Sequence, residues 1–92
     1  MPLYVITYDE RAKTRNYQPL YDQLNSWGAA HLQNSVWLAN LKGPAATIRD
    51  LLRAHMHADD TVCVVQLPAS GADWATHNAR PVGVNWLRSH YG

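Results

Sequence analysis

Two runs rich in β-branched and aromatic residues, LYVITYD at Leu3 to Asp9 and TVCVVQL at Thr61 to Leu67, constrain this chain more than any other feature in it. Each has the length of a strand and too few polar side chains for a strand wetted on both faces. The first reads as a buried central strand. The second, bounded by Pro68, reads as a strand covered on both faces, or on one face and by a partner.

The segments between these runs carry helical spacing. Tyr17, Leu20, Tyr21, Leu24 and Trp27 recur every three or four residues, Gly28 follows as a stop, and Pro19 fits only the first turn. HLQNSVWLANL at His31 to Leu41 returns to extended alternation, and Asn34-Ser35 can turn or bulge it, giving two short strands or one bent strand. Gly43-Pro44 opens a second helix with Ala45, Ile48, Leu51, Leu52 and Met56 as its apolar stripe, ended by Asp59-Asp60. The order implies an α+β, ferredoxin-like βαββαβ sandwich, with two helices on one face of an antiparallel sheet of about four strands. Residues 1–71 form this domain, and residues 72–92 form a C-terminal tail packing on the same domain or on a dimer partner. The tail holds Trp74 and Trp86, is interrupted by Pro81 and Gly83, and predicts a short helix at Val84 to His90. Its two Trp residues are explained most simply by a tail folded over a dimer seam.

With 92 residues, 47% hydrophobic and 16% charged, the chain holds one core and is not disordered, yet it leaves enough surface to expect a partner subunit, a homodimer. No apolar run approaches a membrane span, and Met1-Pro2 leads into a strand without a basic signal region; the expectation is a cytoplasmic protein with no membrane partner. Cys63 is the single cysteine, which excludes an internal disulfide or a CxxC metal clip, and its setting in VCVV reads as a buried small hydrophobe.

Eight Lys and Arg against seven Asp and Glu leave a charge of +1, so a nucleic-acid footprint has to be local. Arg11, Lys13 and Arg15 in DERAKTRN are the candidate, suited to phosphodiester oxygens. Asp9 emerges at a strand's C-terminal edge, where sheet proteins often hold ligands, while Glu10 points to the other face. One carboxylate binds Mg²⁺ weakly, whereas a two-fold axis near Asp9 would give a two-carboxylate site. The plainer alternatives are that Asp9 caps a turn or pairs with Arg11, and that the basic loop is merely solvated. Tyr8 and Trp37 could stack on bases, but strand aromatics of this kind read better as core or interface. His55 and His57, two apart, do not share a helix face for joint metal ligation, and His31, His77 and His90 are isolated in sequence.

YVITYD at Tyr4 to Asp9, the QNSVWL hairpin at Gln33 to Leu38 and DTVCVVQL at Asp60 to Leu67, in that order, resemble the small CRISPR-associated protein family Cas two. The resemblance runs from about Leu3 to Leu67. It implies a ferredoxin-like dimer whose C-terminal segment crosses to the partner's sheet. It further implies nucleic-acid binding through Arg11, Lys13 and Arg15, and a Mg²⁺-dependent endonuclease acting on RNA or DNA with Asp9 as metal ligand and catalytic residue. The alternative is a non-catalytic dimeric scaffold or protein-interaction module of the same fold, with an integrase partner if the gene lies in a CRISPR locus. Leu38 stands where the family often has a carboxylate, and the tail after Pro68 does not align with the family's last strand. The chain is also similar to stand-alone Cas-two-like relatives outside CRISPR loci, which would have no adaptation role.

Overall fold

A computed structural model describes residues 1–12 and 16–92. Lys13 and Arg15, two of the three cations expected to hold nucleic acid, lie outside the described residues. The elements are β1 (Leu3–Asp9), α1 (Gln18–Ser26), β2 (Ala30–Gln33), β3 (Val36–Asn40), α2 (Ala45–Arg53), β4 (Thr61–Leu67) and α3 (Pro81–Tyr91). The four strands form one antiparallel sheet in the order β2-β3-β1-β4, the ferredoxin-like arrangement expected from the element order.

β1 is central because its apolar residues fill both of its faces. Tyr4, Ile6 and Tyr8 point to one side and join Leu20 and Leu24 of α1 and Ile48 and Leu52 of α2 in the main core. Leu3, Val5 and Thr7 alternate onto the other side. α1 starts with Pro19 in its first turn and ends on Gly28 at φ 71°. There the Gly28 N–H donates to Asn25 O at 3.0 Å and the Ala29 N–H to Leu24 O at 3.1 Å, the paired closing bonds that a left-handed residue permits. Asn34-Ser35 is a turn between two strands, with Ser35 at φ 63°, which selects the two-strand alternative for this segment. In α2, Leu51 departs from the expected apolar stripe: it is 50% exposed, while Ile48 and Leu52 face the sheet. The helix also stops at Arg53, short of Asp59-Asp60.

The second sheet face is only partly covered. α3 packs there chiefly against β2, and Leu3, Ala30, Leu38 and Leu87 are buried outside the main core. A bulge between His31 and Gln33 brings the Leu32 backbone up to the start of α3, where the Arg80 N–H donates to Leu32 O at 2.8 Å. At the other end of α3 the Tyr91 hydroxyl donates to Pro68 O at 2.6 Å. Trp86 stacks on His90 within the helix, with ring centroids 4.0 Å apart. The helix is longer than the Val84 to His90 stretch read from the sequence.

Cys63 corrects the sequence reading. It is exposed, because β4 is an edge strand and its alternation turns Thr61, Cys63 and Val65 to the second face, beyond the main reach of α3. Val65 is 49% exposed for the same reason, while Val62 and Val64 pack against the main core. Among the described residues, no helix is long and apolar enough to cross a membrane.

The contact between α3 and the sheet is tightest at Gly83, where an added Cβ would stand 2.5 Å from Leu32 Cα. Backbone cannot rotate away as a side chain can, so Gly83→Ala should lower stability by about 1–3 kcal/mol through overpacking. Urea unfolding checks this, with Val82→Ala at an exposed position of the same helix as the comparison; equal midpoints for the two variants would mean that α3 packs more loosely than described.

Candidate functional site

β1 delivers Asp9 to the C-terminal end of the central strand, opposite Thr61 of β4. Its carboxylate is 70% exposed and lies 3.9 Å from the Arg11 guanidinium, itself 63% exposed. This geometry brings together two of the four residues singled out from the sequence. An ion pair so exposed is worth about 0–1 kcal/mol, so either member can exchange its partner for a ligand at little cost. Asp9 also borders a shallow pocket of about 270 Å³ shared with Thr7, Tyr8, Ser35, Val36 and Thr61.

Glu10 takes no part in that pocket. It accepts a hydrogen bond from the Tyr21 hydroxyl at 2.5 Å, and burial together with this bond to a carboxylate pushes the phenol pKa well above its ordinary value. Tyr8 and Trp37 are core residues, with the Trp37 Nε1–H donating to the Tyr8 hydroxyl at 2.9 Å, so neither ring is free to stack on a base. Burial raises the Tyr8 pKa. His31 stacks on Trp37 with centroids 4.1 Å apart; its burial, and then the charge of Arg80, push its pKa down.

Asp60 organises the neighbourhood. Its Oδ1 accepts from the Arg11 N–H at 2.7 Å and from the Tyr17 hydroxyl at 2.8 Å, and its Oδ2 from the His57 N–H at 2.7 Å. The Tyr17 hydroxyl in turn accepts from the Ala12 N–H at 3.2 Å. One carboxylate thus fastens the exit of β1, the entry of α1 and the approach to β4. In the sequence, Asp60 reads only as a helix stop. Two of its three partners, Arg11 and Tyr17, lie 49 and 43 positions away, and no local spacing signals them.

Partial burial by itself would raise the Asp60 pKa, but the hydrogen bonds from Arg11, Tyr17 and His57 outweigh it and hold the carboxyl below its usual range. Among the described residues, no group of three His, Cys, Asp or Glu side chains is placed to hold a metal ion, and Asp9 offers one carboxylate per chain. No family model matches the chain.

Because the folded pKa of Asp60 lies below its unfolded value of about 3.9, its contribution to stability is complete above that value and is lost as pH falls through the folded one. Asp60→Asn should therefore be less stable than the wild type at pH 7, with the gap narrowing below about pH 4 as the wild-type carboxylate protonates. Urea titrations of both proteins at pH 7 and pH 3 measure this. A gap of the same size at both values would show that the charge on Asp60 is not what holds the loop.

Proposed function

We propose that the protein is a homodimeric nucleic-acid-binding protein of the Cas-two type, cleaving phosphodiesters of RNA or DNA with Mg²⁺ held between the Asp9 residues of two copies. The observation that carries this reading is an exposed Asp9 carboxylate beside the Arg11 cation, at the end of the central strand of a βαββαβ sheet. The neighbouring surface supports a dimer. Cys63 and Val65 leave apolar surface bare on an edge strand, and edge strands normally end up paired or covered. Thr61, at the start of that strand, is the residue opposite Asp9, so a two-fold axis near this corner would bring the two carboxylates together.

The donor set fits the ion on that condition. Mg²⁺ keeps several waters and commonly takes one or two carboxylates, which two copies of Asp9 supply and a single chain does not. When bound, the ion supplies an acidified water and neutralises charge on the phosphate. Asp9 holds it, while Arg11, joined by Lys13 and Arg15, binds phosphate oxygens and stabilises charge developing on them. An integrase partner belongs to this reading only if the gene lies in a CRISPR locus. The second reading, a non-catalytic dimeric scaffold or protein-interaction module, is favoured by the Asp9–Arg11 contact itself, since a carboxylate paired with its neighbour can serve simply as a turn residue.

Asp9→Asn should abolish Mg²⁺-dependent cleavage of RNA and DNA while sedimentation at low micromolar concentration still gives a dimer. Cleavage that persists in the purified variant overturns the Asp9 site, and a monomeric wild type overturns the shared-metal arrangement. Replacing Arg11, Lys13 and Arg15 together by Ala should weaken binding and flatten its salt dependence. Three phosphate contacts per subunit from these residues contribute about −5 to the log–log salt slope for duplex DNA bound by the wild-type dimer. Absence of binding to single- and double-stranded RNA and DNA at low salt would leave the scaffold reading.

A further inference from the structure

We infer that Arg80, from the segment leading into α3, forms a second phosphate-binding position beside the Asp9 end of the sheet. This rests on the nucleic-acid reading above and adds a contact that the β1–α1 loop does not supply.

Arg80 is fixed at two points. Its backbone N–H donates to Leu32 O at 2.8 Å, and its Nη2 donates to Asn34 Oδ1 at 3.2 Å in the β2–β3 turn. That turn lies at the same end of the sheet as Asp9: the Tyr8 N–H donates to Ser35 O at 3.1 Å, and Thr7 stands opposite Val36. The Arg80 charge is felt by both Tyr8 and His31. One hydrogen bond to Asn34 leaves most of the five guanidinium N–H donors open.

The surroundings suit an anion. Arg80, Gln33, Asn34 and Asn78 line a pocket of about 390 Å³ with Leu32, so it presents one guanidinium and three side-chain amides without a carboxylate. Three other described arginines are paired, Arg11 with Asp9 and both Arg49 and Arg53 with Asp50. Arg88 also has no ion pair among the described residues, but it sits in the last turn of α3, at the end of the helix away from the β2–β3 turn. Among the described residues, Arg80 has no carboxylate within salt-bridge distance. A forked cation held by its neighbours and left without a counter-charge matches a phosphate group, which offers several oxygens to a fork. β2 and β1 are separated by β3, so their ends at this side of the sheet stand about 10 Å apart, two strand spacings. A polynucleotide lying across this end of the sheet would reach both Arg80 and Arg11.

The alternative is that Arg80 only pins α3 to the β2–β3 turn. Arg80→Gln keeps an amide donor for Asn34 and removes the charge, whereas Arg80→Lys keeps the charge and removes the fork. Labelled single- and double-stranded RNA and DNA oligonucleotides are titrated with wild type, both Arg80 variants and the Arg11/Lys13/Arg15 triple Ala variant across a series of salt concentrations. Arg80→Gln should weaken low-salt binding several-fold and flatten the duplex slope by about 0.9 per subunit, while Arg80→Lys keeps the wild-type slope. A wild-type slope in Arg80→Gln, with the triple variant impaired, overturns the Arg80 contact and leaves the nucleic-acid reading standing. Equal loss of slope in both Arg80 variants assigns the residue to packing and overturns the contact as well. A wild type that binds none of the four nucleic acids overturns the nucleic-acid reading and this inference with it.

Discussion

What the chain can place at the exposed end of its sheet depends on β1 being held between β3 and β4. A strand with Tyr4, Ile6 and Tyr8 on one side and Leu3 and Val5 on the other cannot lie at an edge without leaving one of these sets in water. Antiparallel pairing on both sides fixes its register, since a slip by one residue would exchange its two faces. The Trp37–Tyr8 hydrogen bond adds a directional check, because it forms only when Ile6 stands opposite Trp37 and the next turn of the pleat brings Tyr8 near the indole. Asp9 leaves the sheet in a defined direction for the same reason. An exposed carboxylate is positioned by residues that are themselves buried.

The loop after Asp9 needs a different anchor, because Glu10, Arg11 and Ala12 have no strand partners. Asp60 supplies it from across the fold. Three donors converge on one carboxylate, and each of them belongs to a segment that would otherwise end in water. Hydrogen bonds to a charged acceptor contribute more than neutral ones, about 1.5–3 kcal/mol in favourable cases, with solvent screening reducing that at a part-exposed group. The consequence for the site is geometric. The backbone of Arg11 is tied down while its side chain stays in solvent, so the guanidinium keeps its freedom within a fixed radius of Asp9.

Features set by periodicity are legible in the sequence: β1 as a buried central strand, the two helices and the antiparallel sheet follow from local spacing, whereas Asn34-Ser35 reads as either a turn or a bulge and the structure makes it a turn. The exposure of Cys63 is not legible, because VCVV looks alike whether the strand is covered on one face or on two. A run of that kind reports β-propensity and says nothing about which face a later element will cover. Leu51 lies outside the buried stripe for a related reason. A stripe wider than the face that the sheet accepts leaves its outer member exposed. Asp60 and Arg80 are illegible in another sense, since Asp60 reaches Arg11 and Tyr17, and Arg80 reaches Asn34, across more than forty positions, and only the closed sheet brings them together.

The uneven cover of the second sheet face links the fold to the proposed chemistry. Gly83 lets α3 settle against Leu32, and with Leu87 buried the helix seals the β2–β3 side; β4 keeps Cys63 and Val65 bare. Had α3 lain across β4 instead, apolar surface beside Thr61 and Asp9 would be spent within one chain. As it stands, a second copy approaching from β4 would meet the Asp9 corner first, and Arg80 would remain on the far flank beyond β3. Two copies arranged in this way would carry their carboxylates near the axis and their Arg80 cations away from it. That separation suits a polyanion whose reacting phosphate sits at the centre and whose flanking phosphates need holding on either side.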